Sequence, residues 1–366
     1  MKAKIVIAGT LKPVIDPRAY EKFAKSLAAT GKYAVHIIGS APSRKPATAA
    51  ITLHPLATRV KGSWQRLLLP WRILWLTLKI KPQVLIINTH ELIFMAVLYK
   101  LITCHNPVYD IRENYYFNLR YQSHYPKGIK HLLAFYVRLK ERLTAHFFSH
   151  FILAEQCYQK ELKFSGNRYT VIENKFKPPA QPPANNPQDK ITLLLSGTIS
   201  KEYGAFAALR FFRQLPQEKY ALTLIGHCPH PATLRQLQQA TAQLQNINFR
   251  VSPTPIPQAE IYQQIGDKTI GLLPYEDNKS IRNKIPTKLY EYLGLGLPIL
   301  ISPNLKWQHR IEKYRAGMVI DFNKPVTTSQ INRINTLKNN IYSTDIKEIM
   351  WKTEETKLLS LVNQLI

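Results

Sequence analysis

Residues 271–302 read GLLPYEDNKSIRNKIPTKLYEYLGLGLPILIS, and this stretch decides the fold of the chain. An apolar run that stops at Pro274 predicts a buried strand, and a polar loop of mixed charge follows it. Pro286 marks the start of a helix over residues 287–293, and two glycines end that helix before a second apolar strand. Strand, loop, helix and strand in this order predict a parallel α/β sheet.

The N-terminus of the helix over residues 287–293 predicts an anion site. Lys284 and Lys288 place positive charge there, and the helix dipole and free backbone N–H groups add to it. Glu291 lies one turn further in, where a carboxylate can accept hydrogen bonds from both hydroxyls of a ribose. Together these side chains suit an anion that carries a ribose.

The same stretch resembles the donor-binding signature of retaining, family 4-like glycosyltransferases, which have the GT-B fold. The version that it resembles reads roughly NK-x-P-x-KL-x-EY-x-x-x-G-x-P. The resemblance implies that Glu291 holds the ribose of a nucleotide diphosphate sugar. Many members carry a second glutamate eight residues earlier, which faces the transferred sugar, and this chain has Asn283 there. The identity of the sugar therefore stays open. An ordinary strand–loop–helix unit is the alternative reading of the stretch.

Length and composition favour a folded protein of two domains. The 366 residues suffice for two cores, and 45% hydrophobic residues with 25 prolines are typical of a globular chain. The three cysteines have no metal or redox spacing, which favours a reducing compartment. The first apolar run, over residues 5–8, is too short for a signal peptide or a membrane span. We expect a cytoplasmic protein.

Strand and helix signals alternate in two blocks. Strands are predicted at residues 4–10, 34–39, 83–88, 107–111, 151–154 and 169–173, and then at 190–195, 220–226, 247–251, 268–273, 297–302 and 318–321. This pattern predicts the α/β class, with two Rossmann-like, doubly wound parallel-sheet domains that face across a cleft.

A proline-rich polar run over residues 177–189 separates the two blocks and is the predicted linker. It divides an N-terminal domain (1–176) from a C-terminal domain (190–344). The resemblance implies that the first binds the acceptor and the second binds the nucleotide sugar. It also implies that the C-terminal helix, within residues 345–366, crosses back onto the first domain.

A second donor motif opens the C-terminal domain, where a glycine-containing turn joins a strand to a helix. Such a turn can present backbone N–H groups to a phosphate. Similar glycosyltransferases often read G-R-x-x-x-x-K-G here, and this chain has Thr198 and Tyr203 in place of the Arg and Lys. We assign Gly197, Thr198 and Lys201 to the donor site. The cations expected to meet the charge of the departing diphosphate are Lys201, Lys284, Lys288 and Arg282.

Two polar runs follow strands in the N-terminal domain, NTHE at residues 88–91 and DIREN at residues 110–114. Ligands bind at the carboxyl ends of parallel strands in folds of this kind. The family often shows a histidine-containing turn at the first place and a YD-x-H-E-like run at the second. The resemblance therefore implies a catalytic set of His90, Arg112 and Glu113, with Arg112 where the family has histidine. Helix capping is the alternative role for the acidic residues.

Residues 64–81, WQRLLLPWRILWLTLKIK, combine tryptophans with basic residues, which is typical of a membrane interface. Pro70 and the internal charges argue against a spanning helix. A second basic stretch, residues 127–142, is similar but lacks tryptophan. The alternative is that these apolar side chains belong to the core of the domain. The side chains assigned to a membrane or acceptor face are Trp64, Arg66, Trp71, Arg72 and Trp75.

The net charge of +27 is concentrated in the first half of the chain, since residues 1–180 carry 28 Lys and Arg against 9 Asp and Glu. Such a surface attracts anionic lipid, a phosphorylated substrate or nucleic acid, and a solvated basic surface without a partner is the alternative. No recognisable motif that reads DNA or RNA accompanies these charges, so we do not expect nucleic acid as a partner.

Several other chemistries are disfavoured. The sequence contains no His-Glu-x-x-His motif, no paired cysteines, no Gly-x-Ser-x-Gly elbow and no dinucleotide fingerprint. We therefore expect neither a metal nor a cofactor, and the nucleotide diphosphate sugar enters as a substrate.

The resemblance thus implies a hexosyltransferase-type glycosyltransferase that moves a sugar from a nucleotide diphosphate sugar to an acceptor hydroxyl with retention. The resemblance implies metal-independent catalysis, a lipid-linked or glycan acceptor, and a place in bacterial surface polysaccharide or glycolipid assembly on the inner face of the cell membrane. Two alternatives stay open: a nucleotide-sugar epimerase of the same fold, and a basic nucleic-acid-binding module.

Overall fold

The computed structural model describes residues 2–41, 50–56, 65–121, 127–183, 186–337 and 345–366. The chain divides into two compact units. The first contains Met1–Asn174 together with Trp351–Ile366, and the second contains Lys175–Met350. Each unit is built around its own sheet.

The sheet of the first unit is wholly parallel. Its strands are β1 (Ala3–Pro13), β2 (Tyr33–Ser40), β3 (Ile51–Leu56), β4 (Val84–Ile87), β5 (Asn106–Ile111), β6 (His150–Leu153) and β7 (Tyr169–Val171). They lie in the order β3-β2-β1-β4-β5-β6-β7. The order changes direction between β1 and β4, which is where doubly wound sheets bind ligands.

The connections of the first unit are helical. A π-helical segment at Pro17–Ala24 continues into α1 (Lys25–Ala29), followed by α2 (Gln65–Ile80), α3 (Ile93–Thr103), α4 (Tyr115–Tyr121), α5 (Lys127–Thr144) and α6 (Tyr158–Glu161). Short 3-10 turns lie at His90–Leu92, Ala145–Phe147 and Lys163–Ser165. Asp16 caps the first segment, since its carboxylate accepts from the backbone N–H groups of Arg18 and Ala19.

Both faces of this sheet are covered, because successive residues of a strand point to opposite sides. In β1, Val6 and Ala8 join a cluster that packs under α2 and α3. Ile5 and Ile7 join a second cluster under α1. Burial on both faces explains why strands such as β4 are apolar throughout.

The second unit repeats this plan. Its strands are β8 (Ile191–Thr198), β9 (Tyr220–His227), β10 (Ile247–Ser252), β11 (Thr269–Leu273), β12 (Ile299–Ile301) and β13 (Gly317–Val319). Its helices are α7 (Ala205–Phe212), α8 (Pro231–Thr241), α9 (Gln258–Tyr262), α10 (Thr287–Gly294), α11 (Leu305–Lys313) and α12 (Thr328–Asn335). The parallel order β10-β9-β8-β11-β12-β13 changes direction between β8 and β11.

The last helix, α13 (Trp351–Leu365), returns to the first unit. The Trp351 ring stacks on Phe23 at 5.9 Å between centroids, and its indole N–H donates to Ser26 Oγ at 3.0 Å. Leu358 and Leu361 are buried in the same cluster. The α/β class with two doubly wound parallel sheets, and the returning C-terminal helix, are confirmed.

One strand was not predicted. β3 (Ile51–Leu56) is the edge strand beside β2, and its run ITLHPL mixes apolar, polar and proline residues. Pro55 fits there because an edge strand leaves one row of backbone N–H groups unpaired. The sequence pattern of this strand is therefore weaker than that of the buried strands.

Candidate functional site

The two donor motifs meet at the point in the second unit where the strand order changes direction. Gly197 and Thr198 end β8, and the loop after the neighbouring strand β11 leads into α10. Both therefore lie at the carboxyl edge of the sheet, where folds of this type hold their ligands.

Gly197 and Lys288 are in direct contact. Gly197 has a φ of +100°, and a Cβ atom at this position would lie 2.7 Å from Lys288 Cε. A side chain here would suffer backbone strain and would displace the end of the Lys288 side chain, which favours glycine. The aliphatic part of the Lys288 side chain therefore packs on the backbone of Gly197 at the end of β8. This contact joins two motifs that lie far apart in the sequence.

Lys288 is also paired with Glu291, one turn further along α10. The Lys288 Nζ to Glu291 Oε2 distance is 2.5 Å, and each side chain is 15% exposed. A lysine ammonium has three N–H donors and a carboxylate has two oxygen acceptors. The pair can therefore hold its own ion pair and still bind a phosphate on one side and a hydroxyl on the other.

Tyr292 fixes α10 against the end of β8. Its hydroxyl donates to the Leu194 carbonyl at 3.2 Å, lies 3.0 Å from Ser196 Oγ, and accepts from the Ser196 N–H at 3.3 Å. Burial raises the pKa of Tyr292, and the nearby Glu291 carboxylate adds to this effect. The phenol therefore stays neutral and serves as a rigid support for the Lys288–Glu291 pair.

Gly204 brings the turn after β8 against the end of β11. Its φ is +74°, and a Cβ atom would lie 1.8 Å from the Pro274 carbonyl oxygen. Beside it, the rings of Tyr203 and Tyr275 pack at 4.9 Å between centroids. The turn that carries Thr198 and Lys201, both exposed, is held in place by this close approach.

The remaining predicted donor residues lie in the loop before α10. Hydrogen bonds attach this loop to α11. The Asn283 carbonyl accepts from Lys306 Nζ at 3.1 Å, and the Lys284 carbonyl accepts from the Trp307 indole N–H at 2.7 Å. Arg282 pairs with Asp277 on the surface at 2.5 Å. The structure thus joins Gly197, Lys288 and Glu291 directly, and positions Asn283 and Lys284 through their backbone.

In the first unit, His90 lies just beyond β4, in the 3-10 turn that precedes α3. Lys140 of α5 places its Nζ 2.6 Å from the His90 carbonyl oxygen and 3.2 Å from His90 Nδ1. The Tyr115 ring contacts the imidazole edge-on, at 4.6 Å between centroids. Burial lowers the pKa of Lys140 to about 8, although Glu141 and Glu91 oppose this.

The contacts with Lys140 hold His90 in position. Lys140 Nζ donates to the His90 carbonyl oxygen and lies within hydrogen-bond distance of Nδ1. Lys140 was missed in the sequence, although residues 134, 137, 141 and 144 mark the inward face of α5 by their helical spacing.

Arg112 belongs to a buried network of ion pairs. It contacts Asp16 at 2.6 Å and Asp110 at 2.9 Å, and Asp110 also binds Arg18 at 2.8 Å. Burial lowers the pKa of Arg112, but the two carboxylates outweigh burial and raise it above its ordinary value. Nη2 of Arg112 is buried without a hydrogen-bond partner among the described residues.

Glu113 and the residues around β1 complete this edge of the sheet. Glu113 accepts from Asn118 Nδ2 at 2.7 Å and is partly exposed. Glu91 accepts a hydrogen bond from the Thr10 hydroxyl. The structure therefore places His90, Arg112 and Glu113 on neighbouring strand ends, β4 and β5, as parallel pairing requires.

The predicted membrane face lies on α2. Trp71 and Trp75 are 61% and 59% exposed, and the Lys79 ammonium lies 3.6 Å from the Trp75 ring centroid. Together with Leu68 and Arg72, the two tryptophans line a shallow surface depression. The core alternative is therefore wrong for Trp71 and Trp75 but right for the opposite face of α2, where Leu69, Ile73 and Leu74 are buried. Trp64 and the side chain of Arg66 lie outside the described residues.

The described residues contain neither a metal-ligand cluster nor a membrane-spanning helix. No group of three or more His, Cys, Asp and Glu side chains there could hold a metal ion. Within the same ranges, no helix is both long enough and apolar enough to cross a bilayer.

The comparisons with known proteins identify the fold. Neither a protein-family model nor a curated protein sequence matches the chain. Sucrose-phosphate synthase from Thermosynechococcus elongatus is 13% identical, with a TM-score of 0.69 over 100% of this chain and 99% of that one. The catalytic domain of starch synthase IV from Arabidopsis thaliana, bound to ADP and acarbose, is 11% identical, with a TM-score of 0.65 over 100% and 99%.

HepE from Anabaena, in complex with UDP and glucose, is 13% identical to the chain, with a TM-score of 0.62 over 99% of this chain and 100% of that one. At this level of identity the likeness concerns the fold. The chain has the GT-B fold of glycosyltransferases, which confirms the fold that the motif resemblance implied.

Proposed function

We propose that this protein is a retaining glycosyltransferase that moves a hexose-type sugar from a nucleotide diphosphate sugar to an acceptor hydroxyl. The observation that carries the proposal is the Lys288 side chain, which crosses Gly197 while it pairs with Glu291 at the carboxyl edge of β8 and β11. Structures of the same fold are in complex with UDP and glucose or with ADP, which supports a nucleotide as a ligand of this chain.

Each donor residue has a role that follows from its chemistry. Glu291 accepts hydrogen bonds from the ribose hydroxyls, and Lys288 binds the diphosphate beside the backbone of Gly197 and Thr198. Lys201 and Lys284 add positive charge, and Asn283 faces the sugar. Cations and a helix N-terminus stabilise the negative charge that develops on the leaving diphosphate, so the mechanism needs no metal.

The acceptor side of the reaction falls to the first unit. His90, which Lys140 holds at its carbonyl oxygen and at Nδ1, contacts the substrate. Arg112 places its positive charge beside the substrate, with Nη2 left without a partner among the described residues, and Glu113 accepts from a hydroxyl. None of these residues is required as a covalent nucleophile, which agrees with attack of the acceptor on the same face of the sugar that the diphosphate leaves.

The acceptor is a lipid-linked or glycan molecule at a membrane. Exposed Trp71 and Trp75, with Arg72 and Lys79 beside them, give α2 the composition of an interfacial helix. We place the protein in the cytoplasm, on the inner face of the cell membrane, and in the assembly of a bacterial surface polysaccharide or glycolipid.

A thermal-shift screen against UDP, GDP, ADP, dTDP and CMP, with and without EDTA, tests the donor site. A ligand that binds only the folded state raises the melting temperature by mass action. We expect one nucleotide to stabilise the wild type, with no effect of EDTA, and Glu291→Ala to abolish that shift.

Glu312→Ala is the matched control. Glu312 lies on α11 in the same unit, is exposed, and its side chain bonds only Gln308 among the described residues. This variant should keep the full nucleotide shift. A shift that survives Glu291→Ala would place the nucleotide elsewhere, and the absence of a shift with every nucleotide would remove the donor site.

A further inference from the structure

Helix α5 has an inverted pattern of polar and apolar side chains. Its inward face buries Lys140 and Glu141 beside Ala134 and Val137. Its outward face carries a stripe of large exposed hydrophobic residues at spacings of three and four, which are Ile129, Leu132, Tyr136, Leu139 and Leu143. A water-facing helix shows the opposite arrangement, so the outer face of α5 is built for an apolar environment.

The same property extends over the neighbouring helices. Phe94 and Leu101 of α3 are exposed, as are Trp71 and Trp75 of α2. Helix α2 packs on α3, and α3 packs on α5, so the three outer faces adjoin. Across the described part of the chain, all but three of the exposed large hydrophobic residues lie on these three helices. The exposed hydrophobic side chains are therefore concentrated in one surface and are not distributed singly over the protein.

The charges on α2, α3 and α5 indicate which kind of partner binds their outer faces. Among the described side chains of these helices, Arg72, Lys79 and Arg142 are exposed and Lys100 and Lys130 are partly exposed, whereas their one acidic residue, Glu141, is buried. A second copy of this chain would bring the same cations against each other, since a twofold interface repeats the same patch on both sides. Apolar side chains among cations without exposed acids instead match an anionic lipid surface.

We propose that the outer faces of α2, α3 and α5 form one docking surface for an anionic lipid bilayer. The inference rests on the membrane contact proposed for α2 and extends it to two further helices. These helices lie in the headgroup layer, with their hydrophobic side chains inserted and their cations at the phosphates.

The docking surface borders the candidate acceptor site. Lys140 Nζ, which bonds His90, lies 5.6 Å from the centroid of Phe94 and 5.5 Å from that of Tyr136, and both rings are exposed. An acceptor that stays anchored in the bilayer can therefore present its headgroup to His90 without leaving the membrane.

Sedimentation with vesicles tests this surface on α5, away from the tryptophans of α2. The vesicles are phosphatidylcholine alone and phosphatidylcholine mixed with phosphatidylglycerol, each at low and high salt. Leu132 and Phe135 are 69% and 60% exposed, so the double variant L132D/F135D adds charge to the surface without disturbing the core. We expect the wild type to bind the anionic vesicles. L132D/F135D should bind them at least about tenfold more weakly.

Leu305→Asp is the matched control, because Leu305 is exposed but lies on α11 of the second unit. It should bind vesicles as the wild type does. Three results would each overturn the proposal: no binding to anionic vesicles, equal binding to both lipids, or L132D/F135D that binds like the wild type. So would a lipid-free dimer that L132D/F135D dissociates, since a second copy would then cover the surface.

The nucleotide shift is measured on the same samples. Its persistence in L132D/F135D shows that the variant is folded. Absent vesicle binding with an intact nucleotide shift removes the docking surface and leaves the donor site standing. Vesicle binding without a nucleotide shift removes the donor site and leaves the docking surface standing.

Discussion

At the scale of single residues, the buried carboxylate of Glu141 has a hydrogen-bond partner for only one of its two oxygens among the described residues. Its Oε1 accepts from the Tyr109 hydroxyl at 3.2 Å, whereas its Oε2 has no hydrogen-bond partner among the described residues and lies 3.5 Å from Arg138 Nε. Burial therefore raises the pKa of Glu141 from 4.5 to about 7, although Arg138 and Tyr109 oppose the rise. The folded protein binds this proton more tightly than the unfolded chain does.

The raised pKa of Glu141 predicts that the stability of the protein depends on pH. Because the folded pKa of Glu141 lies above the unfolded one, its stabilising effect is complete below about pH 4.5 and is lost as the pH rises to about 7. Glu141→Gln should remove this dependence, which amounts to about 3 kcal/mol of unfolding free energy for a buried group. Urea denaturation of the wild type and variant at a series of pH values measures it.

Glu21→Gln serves as the control, since Glu21 forms a half-exposed pair with Lys25 on the same unit. It should leave the pH profile unchanged. A Glu141→Gln variant whose stability falls with pH as steeply as that of the wild type would show that Glu141 is ionised in the folded protein.

At the scale of elements, the two glycine turns of β8 and α7 determine the donor edge. Gly197 admits the Lys288 stem, and Gly204 admits the Pro274 carbonyl. Both have positive φ, but a substituent at Gly204 would meet rigid backbone, whereas one at Gly197 would meet a flexible side chain. The turn at Gly204 is therefore the less tolerant of the two.

Gly204→Ala should lower the unfolding free energy by roughly 3 kcal/mol or more, because it combines backbone strain with a clash. Gly31 is the matched control, since its φ is +69° and no atom lies within 4 Å of a Cβ there. Gly31→Ala should cost only about 1 kcal/mol. Equal losses by denaturant unfolding would contradict the close approach to Pro274.

Much of this architecture could be predicted from the sequence, and the exceptions have physical causes. The buried strands β1 and β11 contain continuous apolar runs, which indicate burial directly, so their positions were predicted. The edge strand β3 was not, because Pro55 and its polar neighbours break the pattern. The pairing of Lys288 with Gly197 depends on which strands lie side by side, and sequence spacing does not contain that information. The outward stripe of α5 has the same periodicity as a core face, so only burial distinguishes the two.

At the scale of the whole molecule, the first unit is completed by residues from the end of the chain. Trp351 lies in the cluster with Ile5, Phe23 and Val35, although it follows the entire second unit in sequence. Trp307, by contrast, is buried in the second unit, in the cluster with Leu289 and Tyr292. The two tryptophans therefore report on different cores.

Trp351→Ala should destabilise the first unit by about 3 to 5 kcal/mol through the cavity that it leaves. Hydrogen exchange should show lower protection in β1 and β4, while β8 and β11 keep theirs. Trp307→Ala should give the reverse pattern. Loss of protection in both units with Trp351→Ala would contradict the assignment of α13 to the first core.

Glycosyl transfer itself is tested most directly by proton NMR of the donor sugar in the presence of the protein and bacterial lipid vesicles. The sugar nucleotide used is the one whose nucleotide stabilises the wild type. We predict release of the nucleoside diphosphate, a product that keeps the anomeric configuration of the donor, and loss of both in Glu291→Ala. A donor that binds but is epimerised in place with its diphosphate intact, or a product of inverted configuration, would contradict a retaining transferase.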